Sequence, residues 1–274
     1  CMLFVNFMTD KNGVQFQFSY NQFITSAIVS IVLAVYAFTL PTCPCKGKGK
    51  SSNFAEAFGL KAFTLFKTKD MAVFFVFSML LGVSLQITNG FANPFISHFK
   101  DIPEFANTWG AQNANALISI SQVSETLCIL LIPFCMKKFG IKKVMLIAMF
   151  AWVLRFGLFG AGNPGSGVWM FVLSCIVYGV AFDFFNISGS LYVNSKSSED
   201  IRSSAQGLFM LMTNGVGATV GTLAAQAIVN KCVYNAPEGQ ASWANAWYIF
   251  AAYALVVAIL FIILFKDPKK EIKA

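Results

Sequence analysis

Val168–Asn194 reads VWMFVLSCIVYGVAFDFFNISGSLYVN, 27 residues with a single charged side chain, Asp183, close to the middle. A helix needs about 20 predominantly apolar residues to cross the hydrocarbon of a bilayer. This stretch is long enough to do so, and more than twice as long as a barrel strand. In lipid every backbone polar group must find an internal partner, which a helix provides. The stretch is therefore expected to be a membrane-spanning helix with an acid near its centre, where an ionisable group costs about 2.5 to 3.5 kcal/mol on insertion scales.

Six further apolar runs of similar length surround it: Phe23–Pro41, Met71–His98, Ala114–Met136, Val144–Gly162, Ala205–Asn230 and Ala246–Phe265. The expected fold class is all-α, a polytopic membrane protein of seven transmembrane helices. Composition agrees, with 57% hydrophobic residues, 12% charged residues and 30 Phe in 274 residues, and a mean hydropathy of +0.65. So little polar surface cannot cover a water-soluble globule, which excludes a cytosolic enzyme, a disordered chain and a disulfide scaffold. Cys128, Cys135 and Cys175 lie inside apolar runs and read as small hydrophobes. Cys43 and Cys45 share a Lys-rich loop, but a zinc site needs about four ligands, and the single His, His98, is distant. No metal or cofactor is expected.

The net charge of +8 lies mostly between the runs, so it is a topology signal and does not point to nucleic acid as a partner. Basic residues concentrate at Lys46, Lys48, Lys50, Lys61, Lys67 and Lys69, at Lys137, Lys138, Lys142 and Lys143, at Lys196 and Arg202, and at Lys266, Lys269, Lys270 and Lys273. The opposite side holds only Lys11, Lys100 and Lys231. Basic loops stay in the cytoplasm, which places the N-terminal segment outside and the C-terminal tail inside. The longest inner loop, Thr42–Asp70, opens as a flexible linker and continues from Phe54 as a candidate amphipathic helix on the membrane surface. It divides the chain into residues 1–70, one span plus the linker, and residues 71–274, a compact set of six. The chain begins at Cys1 without an initiator Met, as a fragment would.

Three ionisable residues stand within the spans: Glu125, Arg155 and Asp183. One reading pairs an acid with Arg155 as a structural salt bridge, which leaves the other acid unpaired. Gln86 and Asn89 are three apart on one helix face, as are Gln122 and Glu125, so two helices offer amide and carboxylate groups at matched depth. Tyr178 and Phe182 lie one turn apart beside Asp183. Rings next to amides and an acid suit a planar ring bearing a polyol. The sequon at Asn186 falls inside the span and is not expected to carry a glycan. Gly217 and Gly221 allow a close helix approach, whether for packing or for rocking, and Asn93-Pro94 is a candidate interruption of the second span.

Several strings are specific to one family. They are Ala62–Lys67 (AFTLFK), Phe77–Asn89 (FSMLLGVSLQITN), Ser119–Leu127 (SISQVSETL), Ala151–Phe156 (AWVLRF), Ile176–Ser190 (IVYGVAFDFFNISGS) and Ser204–Gly215 (SAQGLFMLMTNG). Through them the chain closely resembles the bacterial nucleoside-proton symporters of the major facilitator superfamily, most strongly over 54–265. The resemblance implies a six-plus-six helix transporter of the bacterial inner membrane, of which this chain is the C-terminal two thirds, with the first helices absent. It further implies that residues 1–70 carry the last helix of the N-terminal half and 71–274 the C-terminal half. On that basis Gln86, Asn89, Gln122, Glu125, Tyr178 and Phe182 bind the nucleoside, and Asp183, with Glu125 as the alternate, carries the proton. The implied partners are nucleosides, protons, lipid and the missing N-terminal helices. Purine and pyrimidine are not distinguished. Other readings are a transporter of another small polar solute such as a sugar, a seven-helix receptor, and a membrane hydrolase using Asp183 and Glu125. The hydrolase lacks an intramembrane His and an HExxH motif.

Overall fold

The computed structural model describes residues 7–11, 13–16, 19–41, 59–237 and 240–266. Cys43, Cys45, the linker as far as Phe58 and the last tail lysines lie outside them. The chain divides into two compact units, Cys1–Ser52 and Asn53–Ala274.

Among the described residues, the first unit holds the helix α1 (Asn21–Ala37), of 17 residues. It ends before the expected Pro41. The Thr39 hydroxyl donates to the Tyr36 carbonyl at 2.7 Å and closes the last turn, and a residue before proline disfavours helical backbone. Ahead of α1, Thr9 and Gln15 form an isolated antiparallel bridge, and Gly13 supplies the φ of 78° at the turn between them.

The second unit holds six long helices: α2 (Lys69–His98), α3 (Ala114–Phe139), α4 (Ile141–Ala161), α5 (Val168–Lys196), α6 (Arg202–Tyr234) and α7 (Trp243–Leu264). Among the described residues these six are long and apolar enough to cross a membrane, and α1 is shorter. The seven-span expectation therefore resolves into six plus one helix at the short end of the range. Each boundary in the second unit falls within a few residues of its expected place. Gly140, with φ of 79°, makes the link between α3 and α4, and Lys137 and Lys138 occupy the last turn of α3, where cations complement the helix dipole. The Ser242 hydroxyl accepts from the Asn245 amide and caps α7.

One expectation is corrected. Asn93-Pro94 does not interrupt the second span, because α2 runs through Pro94 to His98. Asn93 is held from the side instead, donating to Asn115 on α3 and accepting from Ser97. Of the candidate amphipathic helix that starts at Phe54, the described part holds a 3₁₀ helix, Leu60–Lys67. Its Ala62 and Leu65 are buried, it packs on α2 and α6, and Phe66 meets Phe75 at 5.0 Å.

The six helices fall into two sets of three, α2–α4 and α5–α7. The first helix of each packs on the second helix of the other, α2 on α6 and α5 on α3, while the third helices, α4 and α7, pack together. This cross-pairing is the one expected where two three-helix sets of opposite topology pack together. Where α2 crosses α6, a β-carbon on Gly82 would stand 2.9 Å from the Thr213 α-carbon, and one on Gly217 would stand 3.1 Å from the Gly82 α-carbon. Close approach at small residues is how helices associate in lipid, where burial of apolar surface gives no drive. Aromatic clusters fill the interior, one around Phe95, Phe159, Phe171 and Trp247 and another around Phe74, Tyr192 and Phe209. Outward-facing Leu130, Leu223 and Ile263 are left bare, as suits acyl chains.

Candidate functional site

α3 and α5 meet with their backbones nearly touching. A β-carbon on Gly179 would lie 2.8 Å from the Glu125 amide nitrogen, and the Ser124 hydroxyl donates to the Ile176 carbonyl. This contact brings Glu125, at the middle of α3, beside Tyr178 and Asp183 at the middle of α5. The two carboxyls are within reach of direct electrostatic interaction, as are Glu125 and Arg155.

Asp183 is 5% exposed, and its Oδ2 has no hydrogen-bond donor among the described residues. An unsatisfied buried carboxyl oxygen is rare and asks for an explanation. Phe182 is half-buried, its ring parallel to that of Tyr178 at 5.9 Å with 9° between the planes. Tyr178 itself is 8% exposed, so the outer face of the pair belongs to Phe182. Gln122 on α3 is exposed.

On α2, Asn89 is exposed and Gln86 half-buried, with the Gln86 β-carbon 3.1 Å from where a β-carbon on Gly221 of α6 would be. The side-chain amides of Gln86, Asn89 and Gln122 make no hydrogen bond to another described residue. The α3 and α5 members of the expected site are thus assembled, and the α2 amides stand open near α6.

Arg155, on α4, is buried and forms no ion pair among the described residues. Its Nε donates to the Thr88 hydroxyl at 3.3 Å and its Nη1 to the Ser174 carbonyl at 2.6 Å. The salt bridge entertained from sequence is replaced by these neutral acceptors and by the faces of Phe159 and Tyr178. Sequence reading missed Thr88 and Ser174, since single hydroxyls in apolar helices carry little signal. It also missed a cleft between α2, α4, α5 and α6, lined by Leu81, Leu85, Trp152, Phe182, Asn186 and Asn214 among others. There α6 departs from α-helical winding into a π segment, Leu211–Gly217, a distortion found often at functional sites.

A family profile described as Nucleoside H+ symporter matches residues 2–270. The chain is 46% identical over 252 residues to nucleoside permease NupG of Escherichia coli (strain K12), covering 92% of this chain and 60% of that protein. It is 49% identical to the xanthosine permease of the same organism, covering 88% of this chain and 58% of that one. The chain therefore spans about three fifths of the length of these relatives. Crystal structures of the nucleoside transporter NupG, in a mutant and an unmutated form, superpose with TM-scores of 0.80 and 0.76 at 46% identity, covering 92% of this chain and 62% of theirs. By its sequence along nearly its whole length, and by the winding of its six long helices, the chain belongs to the nucleoside H+ symporter family.

Proposed function

We propose that this chain is the C-terminal part of a bacterial inner-membrane transporter that imports nucleosides down a proton gradient by alternating access. The observation that carries the reading is Asp183. Its carboxyl is shielded from solvent with one oxygen free of any donor, at the middle of a membrane-length helix and beside an aromatic ring and a second acid. In a family of proton symporters, such a group is where a proton can be held during transport and given up when the site turns to the other side. Phe182 offers a face for the base, Gln86, Asn89 and Gln122 offer donors and acceptors for its edge and for the ribose, and Glu125 is the second polar anchor and the alternate proton carrier. No covalent chemistry is done on the substrate.

In this reading α1 is a seventh span, the last helix of an N-terminal half whose other helices complete the site. The N-terminal segment faces outward and the basic tail faces the cytoplasm. The positive loops support the orientation, and the lengths of the curated relatives support the larger protein. The test is uptake of radiolabelled uridine by cells that lack their own nucleoside uptake and express the whole protein. Accumulation above the external concentration, collapsing when a protonophore is added, is expected. Equilibration without accumulation, or accumulation indifferent to the protonophore, would sink the proposal.

A further inference from the structure

Behind the aromatic pair on α5 stands a buried cation. Arg155 is 1% exposed, at the depth of Asp183 and Glu125, with no carboxylate in ion-pair contact among the described residues. It is pinned by donating to Thr88 on α2 and to the Ser174 carbonyl on α5, and the Ser174 hydroxyl donates back to the Arg155 carbonyl at 3.0 Å. With its edge so fixed, the guanidinium lies 4.5 Å from the centre of the Tyr178 ring and 4.9 Å from that of Phe159. Trp152, one turn earlier on α4, meets the Tyr178 ring edge-on at 5.7 Å and 87°. Tyr178 is thereby bracketed by two α4 side chains, and Phe182 rests parallel against it.

We propose that Arg155 is a positioning residue for nucleoside recognition: anchored to Thr88 and Ser174, its guanidinium fixes the Tyr178 ring and, through it, the Phe182 ring that meets the substrate. This rests on the nucleoside reading and adds to it a residue that never touches the ligand. The side chain is suited to the task because a planar, delocalised cation donates hydrogen bonds in its plane while its face packs on a ring. An ammonium is a point charge that does not do both. A bare strut joining α2, α4 and α5 would need the hydrogen bonds but not the ring contact.

The experiment is a double-mutant cycle on the whole transporter, purified and reconstituted, reading uridine Kd by calorimetry together with melting temperature. Arg155→Lys is expected to raise Kd by about tenfold, the scale of a desolvated cation–π contact. In a Tyr178→Leu background the same substitution is expected to change Kd by less than about twofold, because the ring through which it acts is gone. If Arg155→Lys does not yield folded protein, Thr88→Val removes only the Nε acceptor and is expected to raise Kd by about threefold, again only when Tyr178 is present. A lowered melting temperature with unchanged Kd, or equal losses in both backgrounds, overturns the inference and leaves Arg155 a strut. Wild-type protein that binds neither uridine nor a purine nucleoside overturns the nucleoside reading itself.

Discussion

Phe182 and Tyr178 share one turn of α5 but not one environment. Tyr178 is enclosed by Trp152, Arg155 and Phe182, whereas Phe182 keeps an open face. Aromatic stacking contributes about 0.5 to 1.5 kcal/mol beyond area burial, so Phe182→Leu is expected to weaken uridine binding roughly two- to tenfold. Its melting temperature should stay near that of the wild type, since the side chain is only half-buried. Measuring both quantities on the same preparation decides the matter: lowered stability with intact affinity would make Phe182 a packing residue. At this scale the ionisable residues were legible because charge is so rare in the apolar runs that Glu125, Arg155 and Asp183 stand out singly. What Arg155 does was not legible, because its acceptors and rings come from Thr88, Ser174, Phe159 and Tyr178, which only the tertiary packing brings together.

The α2–α6 crossing is set by glycines whose missing side chains are the contact. A β-carbon on Gly82 would fall 2.9 Å from the Thr213 α-carbon and still nearer its carbonyl oxygen, which is backbone and cannot swing away. Gly82→Ala is expected to force the helices apart at a cost of about 1 to 3 kcal/mol, lowering the melting temperature by roughly 2 to 12 °C. Gly90, on the same helix with open space around its α-carbon, is the control. Gly90→Ala should be neutral or slightly stabilising, as alanine is the better helix former. Equal melting temperatures for the two variants would mean that the seam yields without strain. The helices themselves were readable to within a few residues from the length of each apolar run. The π segment Leu211–Gly217 and the unbroken passage of α2 through Pro94 were not. The first lies where α6 presses on the α2 backbone, and beside the second the Asn93 side chain donates to Asn115 on a neighbouring helix.

On the scale of the molecule, α2 and α5 occupy corresponding places, each packed against the second helix of the opposite set of three. Gln86 and Asn89 stand on one of them, and Tyr178, Phe182 and Asp183 on the other. In the proposed transport cycle a proton and a solute are held together and released together. Asp183 is the proposed carrier of the proton. Asp183→Asn keeps the shape of the side chain and removes its titration, so it separates binding from coupling. The measurement is uridine transport by the whole protein in proteoliposomes, run once as accumulation against an imposed proton gradient and once as exchange at equal pH. The Asp183→Asn variant is predicted to exchange uridine across the membrane while losing uphill accumulation entirely. Accumulation at the wild-type ratio, with its dependence on the proton gradient intact, would contradict the assignment.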